Sequence, residues 1–175
     1  VPIIGLSAVA DSVLKIWTAL VNKHERGEKW QVAMASTFNK HVIVCGLGKG
    51  GFRTVEELLK FRRDVVAIEL DENCAFVEQA RTLGVPVIIA DARRPDSLRK
   101  AGVERADSIV PATDIELTNL DIALDARELN PKIKVVLRMF DPDLARRVES
   151  GFGIRTTFST SALAAPVFAA AAMRL

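Results

Sequence analysis

The feature that most constrains this chain is a glycine-rich turn between a buried strand and a helix. Residues His41 to Cys45 (HVIVC) form a largely apolar run, typical of a central strand in a parallel sheet because both faces of such a strand are buried. The sequence Gly46-Leu47-Gly48-Lys49-Gly50-Gly51 follows, and Phe52 to Phe61 then shows helical spacing of apolar residues. A strand, a turn of this kind and a helix in direct succession are typical of dinucleotide-binding folds.

Strand-like and helix-like segments alternate along the rest of the chain. Further strands are predicted at 65–70, 85–90, 107–112, 134–139 and 155–159, and helices at 72–83, 95–101, 116–129 and 142–150. This alternation predicts an α/β fold: a Rossmann-like, doubly wound parallel sheet of about six strands with helices on both faces.

The two ends of the chain are apolar. Residues 1–21 include Asp11, Ser12 and Lys15 and fall short of the uninterrupted apolar length of a membrane-spanning helix. They are either the end of such a helix or an amphipathic helix that packs on the domain or on another subunit. Residues 22–40 are predicted as a linker or short helix, 41–158 as the nucleotide-binding domain and 159–175 as an apolar C-terminal helix. Because the chain starts at Val1, we expect it to be part of a longer protein.

Composition excludes several classes of function. The net charge is only +2, so no nucleic-acid partner is expected. Cys45 and Cys74 form no CxxC motif and have no histidine near them in the sequence, which indicates reduced thiols and no metal site.

Each residue of the glycine turn has a predicted physical role. Gly46 permits the tight turn, Gly48 lets phosphate approach the backbone, and Gly51 lets the helix pack closely on the strand. The helix start offers unpaired N–H groups to phosphate. Lys49 either adds positive charge there or is simply solvated, and Leu47 completes the predicted turn site.

Glu69 is the most informative single residue. It lies at the end of the second strand, about 20 residues beyond the turn, where a carboxylate accepts hydrogen bonds from ribose hydroxyls. It would repel a 2′-phosphate, and the next residue, Leu70, offers no compensating arginine, so NADP is disfavoured. The alternative is a solvated charge at a strand end.

Other candidate ligand residues follow the third and fourth strands. Asp91 and Ala92 come after the third strand, and Thr113 and Asp114 after the fourth, so all four belong to the carboxyl edge where open sheets bind ligands. Asp91 either reaches the adenine side of a ligand or caps the following turn.

From His41 to about Ala172 the sequence resembles the TrkA-N or RCK family, the regulator-of-potassium-conductance domains. The resemblance is carried by the glycine turn and by three runs: IIADARRPDSLRKAGVERADSIV, ATDIELTNLDIALDARELNPKIKVVLRM and GFGIRTTFSTSALAAPVFAAAA. It implies binding of NAD(H) or an adenine nucleotide (ATP, ADP or AMP) by the residues matching Gly46, Gly48, Glu69, Asp91 and Thr113, with Arg138 as a further candidate. The family often has aspartate where this chain has Glu69.

The resemblance also implies a setting. Residues 1–37 look like the tail of a pore helix and its connection to a regulatory domain of a potassium channel or transporter at the cytoplasmic face of the membrane. The C-terminal segment either packs on its own sheet or, as the resemblance favours, crosses to a partner in a homo-oligomer. Pro166 is expected to break or kink that helix unless the helix starts there.

The competing function is that of an NAD-dependent oxidoreductase fragment. The chain has no tyrosine, and its two histidines, His24 and His41, lie before or at the start of the first strand, far from the carboxyl edge. We therefore expect a regulatory domain and no enzyme activity.

Overall fold

The computed structural model describes residues 27–154 and 157–173 of the 175-residue chain. The strands are β1 (Val42–Cys45), β2 (Val65–Glu69), β3 (Val87–Ile89), β4 (Ser108–Pro111), β5 (Lys134–Val135), β6 (Leu137–Arg138) and β7 (Thr157–Phe158). The helices are α1 (27–36), α2 (Lys49–Lys60), α3 (Val77–Thr82), α4 (Pro95–Lys100), α5 (Glu116–Leu129), α6 (Pro142–Phe152) and α7 (Thr160–Ala172), with a 3-10 turn at Val103–Arg105.

The main sheet is parallel, with strand order β3-β2-β1-β4-β5. The predicted fifth strand, 134–139, is broken into β5 and β6, and β6 pairs in parallel with β7. Between them, the Val136 N–H donates to the carbonyl oxygen of Ile109 on β4 at 2.9 Å, so the chain remains against the sheet. The predicted Rossmann-like parallel sheet is confirmed.

Helices cover both faces of this sheet because alternate side chains of β1 point in opposite directions. Ile43 and Cys45 belong to a core shared with α1, α4, α5 and α6. Val42 and Val44 belong to a second core shared with α2 and α3. The buried strand predicted from HVIVC therefore lies at the centre of a three-layer domain.

Two helices, α2 and α3, begin several residues away from their predicted starts. Helix α2 begins at Lys49 rather than at Phe52, directly after Gly48. The predicted helix 72–83 is reduced to α3, because the Asp71 carboxylate accepts a hydrogen bond from the Asn73 N–H at 2.9 Å and holds the preceding turn.

Helix α1 is docked on the domain. Gln31 Oε1 accepts a hydrogen bond from the N–H of Val87 on the edge strand β3 at 3.0 Å. The Arg105 guanidinium donates to the carbonyl oxygens of Phe38 and Ala35 at 2.8 and 3.0 Å, and Ala35 is fully buried. These contacts fix the end of α1 relative to the sheet.

Helix α7 behaves differently from the other helices. It is continuous through Pro166, so the expected break at this proline is absent. Its large apolar side chains are exposed, including Leu163, Val167 and Phe168, the last at 74%. In the described residues, no helix is long and apolar enough to cross a membrane, and the segment 1–21 lies outside those residues.

Candidate functional site

A cavity of about 450 Å³ lies at the carboxyl edge of the sheet. It is bounded by the residues that follow β1 to β4 and by the first half of α5. Its lining includes Gly46, Gly48, Ile68, Glu69, Leu70, Asp71, Cys74, Ala90, Asp91, Ala92, Arg93, Ala112, Thr113, Asp114, Ile115, Thr118 and Ile122.

The glycine turn is shaped by two close approaches of backbone. Gly46 has a φ of 95°, a conformation that L side chains rarely adopt, and its ideal Cβ would lie 3.2 Å from the Thr113 nitrogen. A Cβ at Gly51 would lie only 1.8 Å from the Gly46 carbonyl oxygen, so α2 packs against the turn itself. A Cβ at Gly48 would meet no atom within 4 Å, which leaves open space beside the turn.

Glu69 is tied to this turn. Its Oε2 accepts a hydrogen bond from the Leu47 N–H at 2.5 Å, and its Oε1 accepts one from the Asp71 N–H at 3.0 Å. The Cys74 thiol donates to the Leu47 carbonyl oxygen at 3.3 Å. The carboxylate predicted to bind ribose is therefore held at the cavity wall by backbone donors.

Asp91 makes its side-chain hydrogen bonds to Arg93. Its carboxylate accepts from the Arg93 N–H and Nε at 3.0 and 3.1 Å and from Nη2 at 2.8 Å. These hydrogen bonds hold the pKa of Asp91 below its usual range. Asp91 lines the cavity and also stabilises its own turn, so its position is compatible both with a ligand contact and with turn capping.

Asn119 on α5 is a fully buried amide that organises the next part of the wall. Its Oδ1 accepts from the Thr113 N–H and hydroxyl at 2.9 and 2.7 Å, and its Nδ2 donates to the carbonyl oxygens of Thr113 and Arg138 at 3.1 and 3.0 Å. It thereby joins the end of β4 to the end of β6.

Arg138 lies at the border of this region, next to Asp114. Its Nη1 donates to Asp114 Oδ1 at 3.0 Å, and its guanidinium carbon lies 4.6 Å from the centre of the Phe140 ring. A Cβ added at Gly50 would lie 3.8 Å from Nη1, so the guanidinium is beside the start of α2. A cation in this place favours an anion at the helix terminus.

The structure brings seven of the eleven predicted site residues to one cavity: Gly46, Gly48, Glu69, Asp91, Ala92, Thr113 and Asp114. The other four do not line it. Leu47 has a buried side chain and contributes its N–H to Glu69, and Gly51 packs against Gly46. Lys49 is exposed at the start of α2, and Arg138 lies beyond Asp114.

Sequence reasoning missed Arg93, Cys74 and the α5 residues as components of this site. The available signal for Asn119 was a poor helix former inside an otherwise regular helix. His41 is fully buried ahead of β1, at the opposite edge of the sheet, as predicted. His24 lies outside the described residues, within which no cluster of three or more His, Cys, Asp or Glu side chains is arranged to hold a metal.

Strand order and cavity position define this as a Rossmann-like α/β domain with its cavity at the carboxyl edge. The model of the TrkA-N domain family matches residues 42–160. Because this match covers more than half of the chain, the chain belongs to the TrkA-N family.

Similar proteins include transport proteins of archaea and bacteria. The chain is 28% identical over 151 residues to potassium channel protein 1 of Methanocaldococcus jannaschii, covering 84% of this chain and 45% of that protein. It is 30% identical over 139 residues to the glutathione-regulated potassium-efflux system protein KefC of an Enterobacter species, covering 78% and 22%. The chain thus spans less than half the length of these curated relatives.

Solved structures share the fold. The TrkA-N domain of the Escherichia coli inner membrane protein ybaL superposes with a TM-score of 0.67 at 21% identity, over 75% of this chain and 95% of that one. The AMP-bound Kef C-terminal domain of Shewanella denitrificans gives 0.65 at 24% identity, over 77% and 79%. GsuK gives 0.64 bound to ADP, at 22% identity over 82% and 36%, and 0.55 bound to NAD, at 17% over 69% and 21%.

Proposed function

We propose that this chain is the regulatory domain of a potassium channel or transporter and binds NAD(H) or an adenine nucleotide in the carboxyl-edge cavity. The observation that carries this proposal is Glu69, whose carboxylate lines the cavity while accepting hydrogen bonds from Leu47 and Asp71. A carboxylate already held beside the glycine turn is suited to receive ribose hydroxyls next to bound phosphate.

The order of the strands indicates where each part of the ligand binds. Its phosphates lie at the turn and the start of α2, where Gly48 leaves open space and the helix offers N–H groups. Its ribose lies at Glu69, and its base lies near Asp91 and Ala92 beyond β3. Arg138 and Asp114 border the other side of the turn, where a second phosphate or a nicotinamide half of NAD would extend.

NADP is a poor ligand in this proposal. A 2′-phosphate would be placed against the Glu69 carboxylate, whose two oxygens are already held by backbone N–H groups and so cannot turn away without losing them. NAD, NADH, ATP, ADP and AMP all present the same adenosine half and are alternatives for the physiological ligand.

Relatives give the proposal its setting. One is named as a potassium channel protein and another as a potassium-efflux system protein, and domains of the same fold have been solved with AMP, ADP and NAD. We place this chain at the cytoplasmic face of a membrane, joined to a pore domain of its own or of a partner chain. Because α1 is docked on the domain, a movement of the domain would be transmitted through this helix to residues 1–26.

Regulation would operate through paired domains. Exposed Leu163, Val167 and Phe168 give α7 an apolar surface suited to a second copy of the chain. The cavity wall is connected to this helix: Asn119 donates to Arg138, the Met139 N–H donates to Phe158, and Ser159 caps α7. A nucleotide that prefers one arrangement of the pair shifts the equilibrium between arrangements and thereby acts on the pore.

The proposed role is binding without catalysis. His41 lies at the far edge of the sheet, and Asp91 already has its carboxylate engaged by Arg93. Reduction of NAD by the purified chain in the presence of alcohols or hydroxy acids would favour the oxidoreductase alternative instead.

The binding proposal is tested by identifying what the chain carries. Mass spectrometry of small molecules released from purified protein is expected to detect an adenine nucleotide, and calorimetric titration of stripped protein should show one site for it. Absence of any bound nucleotide, together with no heat from AMP, ADP, ATP, NAD or NADH, would contradict the proposal. Coupling is tested separately, by nucleotide-dependent potassium flux through the full-length protein in vesicles.

A further inference from the structure

Arg93 lines the nucleotide cavity, although neither the glycine fingerprint nor the predicted site includes it. It lies two residues after Asp91, on the turn that follows β3. The next arginine, Arg94, does not line the cavity and is exposed at the start of α4. The turn therefore presents two neighbouring guanidinium groups, one to the cavity and one to solvent.

Asp91 fixes the orientation of the Arg93 side chain. Both carboxylate oxygens accept from Nε, at 3.1 and 3.2 Å, and Oδ2 also accepts from Nη2 at 2.8 Å. This side-on pairing leaves Nη1 and both faces of the guanidinium plane unused within the pair. The guanidinium group of Arg93 is therefore fixed in orientation, and its two faces remain available to contact another group.

The lining of the cavity combines buried apolar side chains with the exposed Arg93. Ile68 and Ile122 line the cavity and are almost fully buried, whereas the Arg93 side chain is 53% exposed and belongs to the mouth. The Ala90 N–H donates to the Glu69 carbonyl oxygen at 2.8 Å, so the ends of β2 and β3 are adjacent. A base attached to a ribose at Glu69 would extend across β3 toward Arg93.

We infer that Arg93, held by Asp91, is a specificity-determining residue that stacks its guanidinium on the base of the bound nucleotide. This inference rests on the proposed function and adds to it a contact that selects for a large aromatic base. Guanidinium groups stack on aromatic faces through cation–π attraction, and a purine presents a larger face than a pyrimidine. Asp91 acts as a positioning residue for this contact.

Calorimetric titration of the whole chain tests the inference with AMP and UMP. Replacing Arg93 by alanine is expected to weaken AMP binding about fivefold, the equivalent of about 1 kcal/mol, and UMP binding by a smaller factor. Arg93→Lys keeps the charge but loses the plane, so it should recover little of the lost AMP affinity. Arg94→Ala is the matched control and should bind AMP as the wild type does.

The alternatives give different results. Unchanged AMP affinity in Arg93→Ala would overturn the stacking role and show that Arg93 only stabilises its turn. Equal loss of AMP and UMP affinity in Arg93→Ala, with recovery in Arg93→Lys, would overturn it in favour of a charge contact to phosphate. Failure of the wild type to bind any adenine nucleotide would instead defeat the proposed function, and this inference with it.

Discussion

The backbone N–H of Leu47 donates to Oε2 of Glu69 at 2.5 Å, which joins the glycine turn after β1 directly to the carboxyl end of β2. Two elements to which we assign different parts of the nucleotide are thereby fixed relative to each other. A preorganised site of this kind loses less conformational freedom on binding and so binds more tightly.

The glycines of the turn are expected to separate binding from folding. Gly48→Val adds a side chain in open space, so the fold should survive, but the side chain occupies the phosphate approach and nucleotide binding should be lost. Gly51→Ala places a Cβ against the Gly46 carbonyl oxygen and should cost about 1–3 kcal/mol of unfolding free energy. Urea unfolding and nucleotide titration measure the two effects.

Gly50→Ala is the control for both variants, because its Cβ would make ordinary contact with Arg138 at 3.8 Å. Retained nucleotide affinity in Gly48→Val with an unchanged circular dichroism spectrum would show that the ligand binds elsewhere.

Asn119 is expected to be a major contributor to stability. Asn119→Leu leaves the Thr113 N–H and the Arg138 carbonyl oxygen without their side-chain partner, and leaves the Thr113 carbonyl oxygen with only the 3.5 Å hydrogen bond from Arg138 Nη1, which should cost about 3 kcal/mol. Asn73→Ala, at an exposed position, is the control. If the free energies of unfolding of the two variants in urea differ by less than about 1 kcal/mol, the hydrogen bonds of Asn119 do not contribute substantially to stability.

His41 is expected to make stability depend on pH. Burial lowers its pKa below the ordinary value of 6.5 and the charge of Arg105 adds to this shift, while the hydrogen bond to Ala101 and the charge of Asp64 oppose it in part, so the ring takes up a proton less readily in the folded protein than in the unfolded chain. As the pH falls below about 6.5 the unfolded chain binds a proton that the folded chain does not, and the free energy of unfolding decreases by up to about 1.4 kcal/mol per pH unit.

Urea unfolding of wild type and His41→Gln at pH 7.5 and 5.5 measures this contribution. Glutamine retains a donor for the Ala101 carbonyl oxygen, which the ring Nε2–H contacts at 2.8 Å. The wild type should lose more stability than the variant on acidification. An equal loss in both proteins would contradict the assignment of a neutral buried ring.

Helix α7 is expected to mediate self-association. Light scattering of the whole chain should give at least a dimer, and a chain ending at Ser159 or carrying Phe168→Glu should be monomeric, because both changes remove the exposed apolar surface. Replacement of the exposed Ser161 by alanine is the control. A monomeric wild type, or a dimer that persists without α7, would each defeat the proposal.

The fold was largely predictable because its signals are local. Apolar runs such as His41 to Cys45, the glycine turn and the helical spacing of apolar residues from Phe52 to Phe61 are each readable within about a dozen residues. The break between β5 and β6 was not predictable from a continuous apolar stretch. The positions of β1 and β2 follow from the same short-range pattern, which is why Glu69 could be assigned to the carboxyl edge.

The parts of the site that escaped prediction depend on tertiary contacts. Arg93 is oriented by a neighbour on its own turn, and Asn119 joins Thr113 to Arg138, which lie 25 residues apart in the chain. Hydrogen bonds of this kind have no periodicity and become visible only when the backbone brings the partners together. The same applies to Arg105, which docks α1 from nearly 70 residues away.

Comparative titration of the whole chain with NAD and NADP tests the central claim most directly. If Glu69 receives the adenosine ribose, NAD should bind and raise the thermal midpoint, contributing about 2.7 kcal/mol at a hundredfold excess over its dissociation constant. NADP should bind at least about tenfold more weakly, because its 2′-phosphate meets the Glu69 carboxylate. Equal affinity for the two dinucleotides, or no binding of either NAD or AMP, would contradict the account.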